Sequence, residues 1–136
     1  MPVLRYFREV WERGDVDLLD VLLTDDFIDH DPPPGLPPDR PGHKRLATHM
    51  LAMMSQPQYT LHAVVNAGDY VTVRYDVLWR QRGDFFGVPA DGHWLTLRGC
   101  DLYRLRAGRI AESWHVEAAP SGLNRDRAPA TAWPRA

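Results

Sequence analysis

From Tyr59 to Ala118, apolar and polar residues alternate with a period close to two through "YTLHAVVNA", "YVTVRYDVLWR", "HWLTLRGCDLYRLR" and "RIAESWHVEA". These segments are rich in β-branched and aromatic residues and are punctuated by Gly68-Asp69, by the glycines and Pro89 of "GDFFGVPADG", and by Gly108. Strands joined by such short connections pair antiparallel, and a sheet with an apolar face must bury that face against another layer.

The cover lies upstream. Pro2 suits the first turn of a helix, and Val3, Phe7, Val10 and Trp11 recur at helical spacing until Gly14. Asp15 then caps a second short helix that carries Val16, Leu18, Leu19, Leu22 and Leu23 and runs to about Thr24. "DDFIDHD", residues 25 to 31, alternates only in part and runs into "PPPGLPPDRPG", whose prolines forbid both helix and central strand and predict a stiff loop. A third helix is expected from His43 to Met54, on the spacing of Leu46, Met50, Met53 and Met54.

The expected fold is therefore α+β: three N-terminal helices packed on one face of a curved antiparallel sheet, in a single domain over residues 1–118. Residues 119–136 lack periodicity and read as a loosely ordered C-terminal tail. The other face of the sheet also needs cover, and Trp79, Leu102 and Trp114 are available for it, so a homodimer packed through the sheet is expected.

Composition narrows the function. A formal net charge of −2, with arginines scattered along the chain, argues against nucleic acid as the partner and for a small molecule. No apolar run approaches the roughly 20 residues of a membrane span and no signal-peptide pattern opens the chain, so a cytoplasmic protein is expected. Cys100 is the only cysteine, which excludes disulfides and thiolate metal clusters within one chain. Lys44 is the sole lysine among many arginines, a bias that suggests a GC-rich bacterial genome.

Asp101 and His115 carry the chemistry. A three-residue loop of Arg106, Ala107 and Gly108 places Asp101 opposite Ser113 and Gly99 opposite His115, making Asp101 and His115 diagonal neighbours on one face. A two-residue loop would instead put Trp114 opposite Asp101 and separate the pair. Histidine changes charge near neutral pH and a carboxylate orients it, so the pair is suited to moving a proton. His115 is the expected base and Asp101 its partner. Trp11, Met50, Met53 and Tyr103 are expected to line an apolar cavity beside them. Cys100 alternates away, toward the opposite face. Asp29, His30 and Asp31, with His43 and His49, match no spaced metal-ligand motif and are split by the proline-rich loop, so no metal site is expected.

"ERGDVDLLDVLLTDDFIDHDPPPG", "FFGVPADG" and "RGCDLYRLRAGRIAESWHVE" together resemble the SnoaL-like polyketide (ester) cyclases of the nuclear-transport-factor-2-like cone fold, over about residues 3 to 118. The resemblance implies a cone-shaped cavity in an α+β barrel, and acid–base chemistry by a histidine and an aspartate without metal or organic cofactor. The family's histidine falls on Asp101 and its aspartate on His115, so the two types are exchanged. A further family histidine falls on Gln81, and an acidic residue common after the Trp-His pair falls on Ala118. A more distant resemblance to ketosteroid isomerases of the same fold implies a catalytic base at Asp31 and an oxyanion-hole carboxyl at Asp101, while the hole's tyrosine falls on Phe7.

The expected function is that of a cofactor-independent cyclase or isomerase acting on a hydrophobic, carbonyl-containing, polyketide-like intermediate of secondary metabolism. His115, Asp101 and Asp31 would move the proton. The alternatives are a non-catalytic small-molecule-binding or accessory protein of the same fold, and a hydrolase or hydratase using the same pocket.

Overall fold

Helix α1 (Pro2–Arg5) starts at the expected proline and continues without a break into a π-helical stretch, Tyr6–Glu12. A π-turn is wider than an α-turn. Here it brings Tyr6, Phe7, Val10 and Trp11 all to the buried side. Gly14, at a φ of +81°, supplies the left-handed residue that ends the helix. The Asp15 carboxylate then accepts from the Leu18 amide at 3.2 Å and caps a 3-10 turn, Val16–Leu18, that leads into α2 (Leu19–Leu22). The coordinates, a computed structural model, describe residues 1–83, 90, 92 and 94–118. The expected tail, His93 and most of the glycine-rich loop lie outside the described residues.

Helix two stops short of Thr24, because Leu23 is already extended and opens strand β1 (Leu23–Asp29). The remaining strands are β2 (Met54–Ala67), β3 (Tyr70–Gln81), β4 (Trp94–Arg106) and β5 (Arg109–Ala118). They form one curved, unclosed sheet in the order β1-β5-β4-β3-β2. Four strands are antiparallel as expected, and β1 corrects the rest by joining the edge parallel to β5. Three aspartates within β1 hide it from propensity. Two of them are satisfied at the surface, Asp25 by Arg40 at 2.9 Å and Asp26 by Arg106.

Helix α3 (Arg40–Met53) begins at Arg40 and not at His43, because Asp39 caps it by accepting from the Gly42 amide at 2.9 Å and Pro41 fits its first turn. The proline-rich loop presses on that turn: a Cβ on Gly42 would lie 2.1 Å from the Pro37 carbonyl oxygen. Val3, Phe7, Leu19, Phe27, Val73 and Ile110 form the core between the helices and the sheet. Trp79 also belongs inside. At 1% exposure, with its indole donating to Gln81 Oε1 at 2.9 Å, it is not part of an outer apolar face.

The β4–β5 hairpin corrects the expected register. Its turn has two residues, Ala107 and Gly108, both left-handed, with Arg106 paired to Arg109. That turn alone would oppose Asp101 to Trp114. A bulge follows, however: Leu105 pairs with Ile110 but Arg104 with Glu112, leaving Ala111 as the extra residue. The shift places Asp101 directly opposite His115. The pair is closer than the diagonal arrangement expected, and both side chains face the helices.

Candidate active site

The concave face of the sheet, the first and third helices and the proline-rich loop enclose a cavity of about 1240 Å³. Ligand pockets commonly run to about 300–1,000 Å³, so a flat molecule of several fused rings fits. Trp11, Met50 and Tyr103 line it as expected. Met53 does not: it sits at the last turn of α3 with its sulfur packed on Gly83, where a Cβ would lie 2.5 Å from Sδ. Gly99 has the opposite effect on the site. Tyr75 is its partner across β3 and β4, and a Cβ on Gly99 would lie 2.3 Å from the Tyr75 hydroxyl, so only glycine lets that ring lie across the strand.

His115 Nδ1 lies 2.6 Å from Asp101 Oδ1, and Tyr103 donates its hydroxyl to Asp101 Oδ2 at 2.8 Å. On the other side of the ring, His115 Nε2 lies 2.9 Å from Glu117 Oε2. The imidazole is thus clasped between two carboxylates, which can only accept when ionised. Burial alone would lower the pKa of His115, but the hydrogen bonds and charges of Asp101 and Glu117 outweigh it and push it up to about 10. His115 is a cation at neutral pH, so these contacts favour a proton donor over the free base expected from the pair alone. Burial, and then the Asp101 charge, hold the Tyr103 phenol well above its ordinary value, so it too remains a donor.

Asp31 lies at the exposed edge of the cavity, past the end of β1. Its Oδ2 accepts from the His115 backbone amide at 2.8 Å, and its own amide donates to Asp29 Oδ1 at 2.9 Å. The three sequence-derived candidates Asp31, Asp101 and His115 therefore meet at one place. Phe7 is buried among Tyr59, Tyr75 and Tyr103 and offers no hydroxyl.

Glu117 was not anticipated, although it stands two residues from His115 on the same face of β5, so strand alternation alone predicts it there. A second group was also missed. Tyr6 hydroxyl and His43 Nε2 lie 2.7 Å apart, and His43 Nδ1 lies 3.3 Å from Asp29 Oδ2, all lining the same cavity. Burial opposes the ionisation of Asp29, but His43, the Asp31 amide and the His115 charge together lower its pKa. No local motif links Tyr6, Asp29 and His43 across the proline-rich loop.

His30, by contrast, leaves the cavity, stacking on Trp114 with ring centroids 4.5 Å apart and meeting Glu112 at 3.0 Å. Among the described residues, no group of three or more His, Cys, Asp or Glu side chains is placed to hold a metal ion. Cys100 is exposed on the opposite face of the sheet, as expected.

A curved, open sheet that holds an ionisable cluster against a three-helix cover is the cone of the nuclear-transport-factor-2-like fold. The chain belongs to the SnoaL-like polyketide cyclase family, which it matches over residues 2–119. Among solved structures it is similar to TsrD from Streptomyces laurentii, at 22% identity over 84% of each chain with a TM-score of 0.74. It is also similar to IdmH from Streptomyces antibioticus, described as a candidate polyketide cyclase, at 28% identity over 86% of this chain and 91% of that one with a TM-score of 0.72. A candidate polyketide cyclase from Bacillus cereus shares 22% identity over 85% of this chain and 71% of that one, with a TM-score of 0.72. A comparison with curated proteins finds no match.

Proposed function

We propose that this protein is a cofactor-independent cyclase or isomerase for a hydrophobic, carbonyl-bearing, polyketide-like intermediate of secondary metabolism, with His115 as its acid. The observation that carries the reading is the His115 imidazole held between Asp101 and Glu117 at the wall of a large, mainly apolar cavity. A ketone oxygen replaces Glu117 at His115 Nε2 and takes up the hydrogen bond as it gains charge. Asp101, fixed by Tyr103, keeps the ring charged and oriented. Asp31 removes the proton next to the carbonyl, one oxygen anchored by the His115 amide and the other turned to substrate. The resulting enol closes onto a second carbonyl or is reprotonated at another carbon. Every step is a proton transfer or a carbon–carbon bond formation, so the scheme needs no metal or redox partner.

Proton exchange tests it without the natural substrate. The protein should accelerate deuterium uptake at the α-carbon of 2-tetralone in D₂O, followed by proton NMR, and chelator treatment should leave the rate unchanged. His115→Asn and Asp31→Asn should each slow it, by about 10²-fold or more for a positioned proton-transfer group. Exchange by wild type no faster than buffer, or by both variants as fast as wild type, would favour a binding protein with the same cavity.

The same reading includes a homodimer. Leu102, Val116 and Tyr70 are exposed, and Leu102 and Val116 lie on the strands next to one another. Pairing two sheets through this face removes an apolar surface from water.

A further inference from the structure

We infer that Tyr6, His43 and Asp29 form a second proton station in the cavity, one that serves an oxygen of the bound molecule other than the oxygen held by His115. This extends the acid–base reading above and rests on it. The carboxylate of Asp29 only accepts, so His43 carries its proton on Nδ1, which faces that carboxylate at 3.3 Å. His43 Nε2 is left to accept from the Tyr6 hydroxyl at 2.7 Å. The order is phenol, imidazole, carboxylate, with the phenol at the cavity and the carboxylate farthest along. His43 and Asp29 are each only 7% exposed at their side chains, so water does not compete for these bonds. A buried polar trio of this kind is costly unless fully satisfied.

Two features point to work on a ligand as well as support of the fold. The phenol lies on the π-helical stretch, where the widened turn brings both Tyr6 and Trp11 to the cavity. The trio is also joined to the first station: Asp29 Oδ1 takes the Asp31 amide, and Asp31 Oδ2 takes the His115 amide. The end of β1 thus fixes both histidines in one frame. When an oxygen of the ligand arrives, the Tyr6 hydroxyl turns from His43 to it. If that oxygen becomes an alkoxide, the phenol proton moves to it, and the phenolate takes a proton back from solvent as the product leaves the cavity. The proton gained there balances the one removed from carbon, so no other reactant is consumed. Tyr6 touches the ligand; His43 and Asp29 position it.

The test uses full-length protein labelled with ¹⁵N on histidine, its cavity saturated with 2-naphthol, whose fluorescence reports binding. The His43 Nε2 signal should start as a hydrogen-bonded acceptor and shift on saturation, as the phenol turns away. Tyr6→Phe should lose that shift and bind naphthol more weakly, by about tenfold for one buried hydrogen bond. An unmoved His43 signal in wild type, no saturable naphthol binding, or binding by Tyr6→Phe as tight as wild type overturns the second station. The wild-type measurement stands even if Tyr6→Phe folds poorly. The His115 signals in the same spectra report the first station separately: a silent His115 beside a responsive His43 contradicts the earlier reading while still supporting ligand contact at Tyr6.

Discussion

Asp101 is the residue on which most of the polar architecture converges. Its side chain is 8% exposed and receives both His115 and Tyr103, so Asp101→Asn removes the charge while leaving one half-buried and one buried donor to a weaker acceptor. Losing a charged hydrogen-bond partner of this kind costs about 2 kcal/mol, and urea denaturation should show a loss of that order with the sheet retained. The linkage to pH follows from His115, whose folded pKa is raised from 6.5 to about 10. Its contribution to stability is complete below about pH 6.5, declines as the unfolded chain stops binding the proton, and is gone once pH passes about 10. Asp29 works in reverse. Its lowered pKa gives stability that is present above the ordinary carboxylate range and is lost as pH falls through the folded value.

At the scale of elements, the Ala111 bulge decides whether the site exists. Inserting one residue after Ala111, with the two-residue turn and the one-residue bulge kept, brings Trp114 opposite Asp101. Such a variant should keep strand content by circular dichroism yet lose tetralone exchange to the level of His115→Asn; full activity in the insertion variant would mean the pairing is unimportant. Gly99→Ala tests the neighbouring strands. Its Cβ would meet the Tyr75 ring, and overpacking of this sort costs about 1–3 kcal/mol, readable as a lower denaturation midpoint. The four antiparallel strands, the Asp15 cap and the Gly14 stop were legible because each rests on local spacing or turn chemistry. Alternation also put Asp101 and His115 on a common face. It did not reveal the bulge, because one extra residue in a strand leaves no mark beyond a small side chain, here Ala111. Strand β1 was hidden for a different reason: its pairing with β5 spans most of the chain, and its aspartates are satisfied by arginines that only the fold brings near. The Tyr6–His43–Asp29 trio depends on β1 and was invisible with it.

For the whole molecule, the cavity and the proposed dimer contact use opposite faces of one sheet. Residues alternating along β4 send Asp101 and Tyr103 inward and Cys100 and Leu102 outward. Sedimentation at micromolar concentration should give a dimer, and Leu102→Asp should shift it toward monomer without changing the His115 signals; a wild-type monomer would contradict the assembly. Trp79, expected on that outer face, instead closes the cavity, which shows how one-residue alternation misplaces a side chain when the strand's inner face is not known in advance. The central claim concerns the proton on His115, because the acid role, the pairing register and the clasp of Asp101 and Glu117 all meet there. A ¹⁵N NMR titration of the His115 imidazole measures it directly. The structure predicts a ring that stays doubly protonated through neutral pH and loses its proton near 10. A midpoint close to the ordinary 6.5 would contradict the clasp and return His115 to the role of a free base.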